Sequence, residues 1–178
     1  GLAAFHWHCF GGPFETPYAH LIDYAESHEQ GFFGMEEVQR EALFGTFFAP
    51  SNGLFWFVPW TAPVVLALFA GLFTQRLREQ AIVTLAVLFA YTVFVSMVDN
   101  WRGGWTAGPR YIVPVVPYLA WYMVHAFRTL RQPTVRVAAL AGLWGLVVIA
   151  AWNCGLSAIV FPHYPDDLFN PIYEFAWF

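Results

Sequence analysis

The chain has 178 residues, of which 58% are hydrophobic and 11% charged, with a formal net charge of −4 and a mean hydropathy of +0.50. A soluble domain is about a quarter charged, so too few charges exist here to coat a water-facing surface, and lipid is the expected solvent for most of the chain. All eight basic residues are Arg with no basic stripe, which excludes nucleic acid as a partner; Cys9 and Cys154 are too few and too far apart for a disulfide framework or a zinc site.

The sequence starts at Gly1 without a charged n-region or cleavage signature. Residues 2–5 read as the tail of an earlier span, so the expectation is a fragment whose beginning lies upstream. Thr16 followed by Pro17 is a helix-start signal, a hydroxyl cap and then a preset φ. Met35, Val38 and Ala42 recur at helical spacing, and Glu36 stands four residues before Arg40, the favourable orientation for an intrahelical pair. The apolar run from Leu43 to Phe48 follows. These features predict short amphipathic helices lying along the membrane surface, apolar side down, before the chain turns in at Pro50.

Four stretches then approach the roughly 20 apolar residues that a span needs: 53–74, 80–98, 111–127 and 137–161. Pro59, Pro63, Pro114 and Pro117 fall near the starts of the first and third, where N–H groups lack intrahelical partners, although the second of each pair is placed to kink its helix. Arg76 and Arg78 lie in one short connection, and Arg128, Arg131 and Arg136 in another. The positive-inside tendency puts loops 75–79 and 128–136 in the cytoplasm. Segments 6–52 and 162–178 and loop 99–110 are then extracytoplasmic. The expected architecture is all-α and polytopic. Residues 1–52 hold the end of an upstream span and an extracytoplasmic segment with interfacial helices. Residues 53–161 form a four-helix transmembrane region, and 162–178 a tail. Trp56, Trp60, Trp101, Trp105, Tyr111 and Trp177 fall where spans meet water, and belt anchoring explains most of them. No internal repeat or low-complexity tract interrupts the chain.

The chemically most informative stretch runs from Asp99 through Trp101, Arg102, Gly103, Gly104, Trp105 and Gly108 to Arg110 and Tyr111. Its glycines permit tight turning and close backbone approach. Arginine on the outer face runs against the charge bias, and a guanidinium can hold a phosphate bidentately. Two at the headgroup boundary suit a phosphate whose lipid tail stays in the bilayer. A pair between Arg102 and Asp99, and snorkelling of Arg110 to a headgroup, account for the same placement structurally.

The run Trp101-Arg102-Gly103-Gly104-Trp105-Thr106-Ala107-Gly108-Pro109-Arg110-Tyr111 resembles the Trp-Gly-Gly-Trp to Arg-Tyr stretch of bacterial polytopic GT-C-type glycosyltransferase-like proteins, related to protein mannosyltransferases and arabinofuranosyltransferases. Phe10-Gly11-Gly12-Pro13 is similar to their Phe-Gly-Ser-Pro segment. Phe48 to Phe55, with Pro59 after it, looks like their Pro-x-x-Gly-Leu opening of a span. Asn170-Pro171 resembles an Asn-Pro-Leu stretch, with Ile172 in place of Leu. The resemblance implies transfer of a sugar from a polyprenyl-phosphate carrier on the outer face. It implies a carboxylate to deprotonate the acceptor hydroxyl, expected upstream of Gly1, and cations to stabilise the leaving phosphate. Arg102 and Arg110 are the candidates for phosphate contact, with Asp99, Trp101, Trp105 and Tyr111 around them. The implied partners are the lipid-linked sugar, membrane lipid and the preceding part of the same protein. No cofactor is identified, and a divalent cation beside the phosphate is compatible with the chemistry.

Other polar residues carry weaker signals. His6, His8, Cys9, His20 and His28 fit no zinc spacing. Asp23, Glu26 and Glu29, like Asp166 and Asp167, read first as solvated surface. His125 and Asn153 lie in or near span ends, where a single hydrogen bond to a neighbouring helix would satisfy either. Two non-enzymatic alternatives stand beside glycosyl transfer. A transporter or lipid-handling subunit would favour broken helices around a polar midplane site. A scaffold would expose the Phe47-Phe48 region as an apolar patch.

Overall fold

The computed structural model describes residues 2–13, 37–98, 100–103, 108–159, 170 and 174. Every regular element among them is helical. The chain divides into two compact units, residues 1–37 with 97–99, and residues 38–96 with 100–178.

The described helix of the first unit is α1, Leu2–Phe10, with no buried residue. It runs five residues beyond the predicted span tail, because neither Gly nor Pro interrupts it before Gly11, whose N–H donates to the Trp7 carbonyl at 3.1 Å. The predicted features at Thr16–Pro17, His20, Asp23, Glu26, His28, Glu29, Met35 and Glu36 lie outside the described residues.

The second unit begins with α2, Arg40–Phe48. Its buried residues are Ala42 and Thr46, while Phe44 and Phe48 face outward. The helix therefore docks on its neighbours through a stripe of small residues with Phe47 packed against the main core, while Phe44 and Phe48 point away. The next stretch, predicted as one span over 53–74, is broken in two. A single turn α3, Leu54–Phe57, is followed by α4, Thr61–Leu72. Pro59 brings no N–H to continue the ladder. The chain turns instead through bonds from Thr61 N to Val58 O and from Ala62 N to Pro59 O, at 3.0 and 3.2 Å. Pro63 is accommodated in the first turn of α4, where its missing donor costs nothing.

Helix α5, Arg78–Met97, closely matches its predicted span. The third predicted span starts later than expected. Turns led by Pro109 and a 3₁₀ segment, Val113–Val115, occupy its first residues before α6, Val116–Thr129. Helix α7, Pro133–Ile159, takes Pro133 as its first residue and so begins four residues before the expected 137. Among the described residues two helices, α5 and α7, are long and apolar enough to cross a membrane; α4 is a shorter apolar helix.

The main core joins α3, α4, α5 and α6 through Leu54, Val64, Leu68, Ala81, Leu88 and Leu119, with Tyr122 among them. Tyr122 is buried, and its hydroxyl donates to the Ala67 carbonyl at 2.7 Å. Gly71 makes room for that hydroxyl: a Cβ there would overlap it. A tyrosine buried among apolar groups needs such a partner, since an unpaired hydroxyl costs about 1–3 kcal/mol. Helix α7 contributes little to this core, with Ala150 its one buried residue. An open apolar groove of about 640 Å³ separates it from α4 and α6, lined by Pro63, Ala67, Met123, Phe127 and Leu143 among others.

Arg76, Arg78, Arg128, Arg131 and Arg136 are all exposed, in or beside the turns between α4 and α5 and between α6 and α7. The loop after α5 lies at the other end of that 20-residue helix, about 30 Å away at 1.5 Å per residue.

Candidate functional site

The loop between α5 and α6 is anchored from beneath by Trp101. Its side chain is 7% exposed and packs with Ala42 of α2 and Val95 of α5, with Ala49 and Tyr111 at the margin. Gly45 is what admits the ring: a Cβ at that position would collide with the six-membered part of the indole. The start of α2 is tied to the end of α5 by a bond from Gln39 N to Ser96 O at 2.9 Å. Thus α2 sits on the loop through a tryptophan, a glycine and a backbone bond.

Two glycines shape the loop itself. Gly103 and Gly108 both adopt φ of 86°, a region open to glycine without steric cost. Gly103 N bonds to Asn100 O at 2.9 Å and closes the first turn. Gly108 lies against the Phe57 ring of α3, where an added Cβ would come to 3.3 Å of the ring edge. Buried Asn52 secures the backbone just before Gly103. Its Nδ2 donates to Arg102 O at 3.3 Å, and its Oδ1 accepts from Ser51 Oγ at 3.1 Å. Both ends of the amide are engaged, as burial of a polar group demands.

The backbone so fixed presents two cations. The Arg102 guanidinium carbon lies 5.3 Å from the Trp101 ring centroid, and its Nη2 donates to Glu41 Oε1 of α2 at 2.9 Å. The Arg110 guanidinium lies 5.0 Å from the Tyr111 ring centroid, and its Nη2 donates to the Tyr111 hydroxyl at 3.2 Å. Each stacking contributes about 0.5–1 kcal/mol at an exposed site. More usefully, each ring restricts where its guanidinium can swing.

Of the predicted site residues, Trp101, Arg102, Arg110 and Tyr111 are thus seen on one short, braced loop. Asp99 and Trp105 lie outside the described residues. Arg102 pairs with Glu41, a partner 61 positions away that sequence reasoning missed. No local signal links the two; only the docking of α2 on Trp101 brings them together. Gly45 and Asn52 were missed as site supports for the same reason.

The remaining polar candidates have structural partners. Asn153 Nδ2 donates to Trp56 O at 2.9 Å, and His125 Nδ1 lies 2.9 Å from Trp121 O. His6 stacks edge-on with Phe10 within α1. Among the described residues no three His, Cys, Asp or Glu side chains converge as a metal site requires. No protein-family model, characterised protein or solved structure matches this chain.

Proposed function

We propose that this chain is the distal part of a multi-pass membrane glycosyltransferase of GT-C type, transferring a sugar from a polyprenyl-phosphate donor to an acceptor on the extracytoplasmic face. One observation carries the reading: two guanidiniums, each backed by its neighbouring aromatic ring, stand on a braced loop at the end of a 20-residue apolar helix. That is where the phosphate of a lipid carrier would reside while its tail stays in hydrocarbon.

In this reading four segments cross the bilayer: α3 with α4, α5, the 3₁₀ segment with α6, and α7. The exposed arginines of the 75–79 and 128–136 loops face the cytoplasm, following the positive-inside tendency. Loop 99–110 and segments 6–52 and 162–178 face outward. During transfer the bond from the sugar's anomeric carbon to the carrier phosphate breaks, and a bond to the acceptor oxygen forms. The acceptor's proton goes to a carboxylate base. The negative charge left on the carrier phosphate is held by Arg102 and Arg110, as fixed donors stabilise developing charge.

A non-catalytic scaffold or lipid-handling role has its own supporting observation, the outward-facing Phe44 and Phe48 on α2. The two readings part in one experiment. Membranes containing the protein are assayed for sugar transfer from a polyprenyl-phosphate sugar, with the Arg102→Gln/Arg110→Gln variant alongside. Glycosyl transfer predicts a fall of about a hundredfold or more. Undiminished transfer in the variant removes the arginines from the chemistry. A wild type that binds lipid but transfers nothing leaves the scaffold reading.

A further inference from the structure

We infer that the apolar groove between α6 and α7 seats the acyl chains of an anionic phospholipid, whose phosphate is held at the groove's mouth by Arg136 with Arg128 and Arg131. The inference rests on the multi-pass part of the reading above and not on sugar transfer.

Three observations support the seat. First, α7 packs on the rest of its unit chiefly near its C-terminal end, where Ala150 is buried and Asn153 Nδ2 donates to Trp56 O of α3 at 2.9 Å. Nearer its N-terminal end it stands off from α4 and α6 and leaves the groove of about 640 Å³. Second, the walls offer hydrocarbon contact and no open polar group. Tyr122 is the one polar side chain among them, and its hydroxyl is already given to the Ala67 carbonyl. Water finds no hydrogen bond there, whereas an acyl chain loses nothing by entering. Third, cations gather at one mouth. Arg136, Ala139, Leu143 and Leu146 recur at three- and four-residue spacing and so share one face of α7. The last three line the groove, and Arg136 stands one turn before them. On the side of α6, Leu130 lines the same mouth, with Arg128 two residues before it and Arg131 directly after. All three arginines are exposed, and among the described residues none is in an ion pair. Long guanidinium side chains reach from a span end to the headgroup level, and a basic crevice between spans attracts lipid phosphate.

An apolar slot with positive charge at one mouth matches an amphiphile with a hydrocarbon tail and an anionic head. A protein helix fits less well between these two elements. Residues 130–132 join them and reach at most about 14 Å from Thr129 to Pro133, whereas a third helix between two others sets their axes about 16–20 Å apart.

The test uses the full-length protein, purified in mild detergent and stripped of lipid. It is titrated with phosphatidylglycerol and with zwitterionic phosphatidylcholine of the same acyl chains, and bound lipid is counted by native mass spectrometry. Phosphatidylglycerol should bind at least about tenfold more tightly, on a scale of about fivefold per engaged arginine. Arg128→Gln/Arg131→Gln/Arg136→Gln should abolish the preference. Arg76→Gln/Arg78→Gln, which removes charge from the turn between α4 and α5, should keep it. Gly142→Phe puts a ring into the groove, since a Cβ at Gly142 meets only open space. It should weaken both lipids on the order of tenfold, the worth of about two buried methylenes, and leave thermal unfolding of the stripped protein unchanged. No preference in the wild type, or an equal loss in Arg76→Gln/Arg78→Gln, overturns the seat. Lipid binding indifferent to Gly142→Phe overturns it too, and is the result expected if another helix covers the groove. Release of the protein from membranes by alkaline carbonate would sink the multi-pass reading and this inference with it. A protein that stays in the membrane but shows no preference sinks the inference alone.

Discussion

Two aromatic side chains in this molecule are seated by the same device and put to different ends. Tyr122 enters the core because Gly71 has no side chain, and Trp101 enters its site because Gly45 has none. Tyr122 is a closed arrangement: its hydroxyl ends on the Ala67 carbonyl, and its ring is buried in the main apolar core. Trp101 is open on one side, where its ring carries the Arg102 guanidinium. The first locks α6 to α4. The second joins α2, α5 and the loop, and it also aims a charge. Burial of a ring therefore says nothing by itself about function; what its exposed edge or polar tip touches does.

Substitutions separate the two rings. The largest effect is expected for Trp101→Ala, which empties a buried indole site and should cost about 3–5 kcal/mol of stability. It should also weaken polyprenyl-phosphate binding, because the guanidinium loses its backing. Thermal unfolding and binding in the same detergent measure both. Gly71→Val forces a branched side chain against the Tyr122 hydroxyl and should cost about 1–3 kcal/mol through overpacking. Its binding should stay near that of wild type, once measured below the lowered melting temperature. Tyr122→Phe should cost least of the three, about 1 kcal/mol, by removing one hydrogen bond without changing the packing. If Tyr122→Phe altered phosphate binding as strongly as Trp101→Ala, the division between a locking ring and an aiming ring would be wrong.

Much of the architecture was legible in the sequence. The apolar runs placed α5 within two residues at its start and one at its end, and α7 within four at its start, because a long unbroken apolar stretch has few alternatives to a helix. The breaks were harder. By sequence alone Pro59 is tolerable near the start of a span, yet the chain stops and restarts there, since Thr61 finds its backbone partner in Val58 rather than a residue four back. Pro114 likewise falls in a 3₁₀ turn, so α6 starts at Val116. The candidate loop was recognisable from its Trp, Gly and Arg pattern. Its supports were not, because Glu41, Gly45 and Asn52 reach it only through the packing of α2 and the turn after it. A pairing across 61 residues leaves no local trace. On α2 the small residues Ala42 and Thr46 face inward, and the phenylalanines Phe44 and Phe48 face out.

The exposed faces of α7 extend the same lesson about surroundings. Trp144, Val148, Ile149 and Trp152 project outward from a 27-residue helix with one buried residue. Such a surface is stable against hydrocarbon and unfavourable against water.

Direct binding tests most simply whether Arg102 and Arg110 hold a carrier phosphate. Titration of the intact chain with a polyprenyl monophosphate should give affinity well above that for the uncharged polyprenol. The Arg102→Gln/Arg110→Gln variant should lose at least about tenfold of it, since each charge-assisted bond contributes about 1.5–3 kcal/mol. Equal affinity for the phosphate and the alcohol, or no loss in the double variant, would contradict the claim.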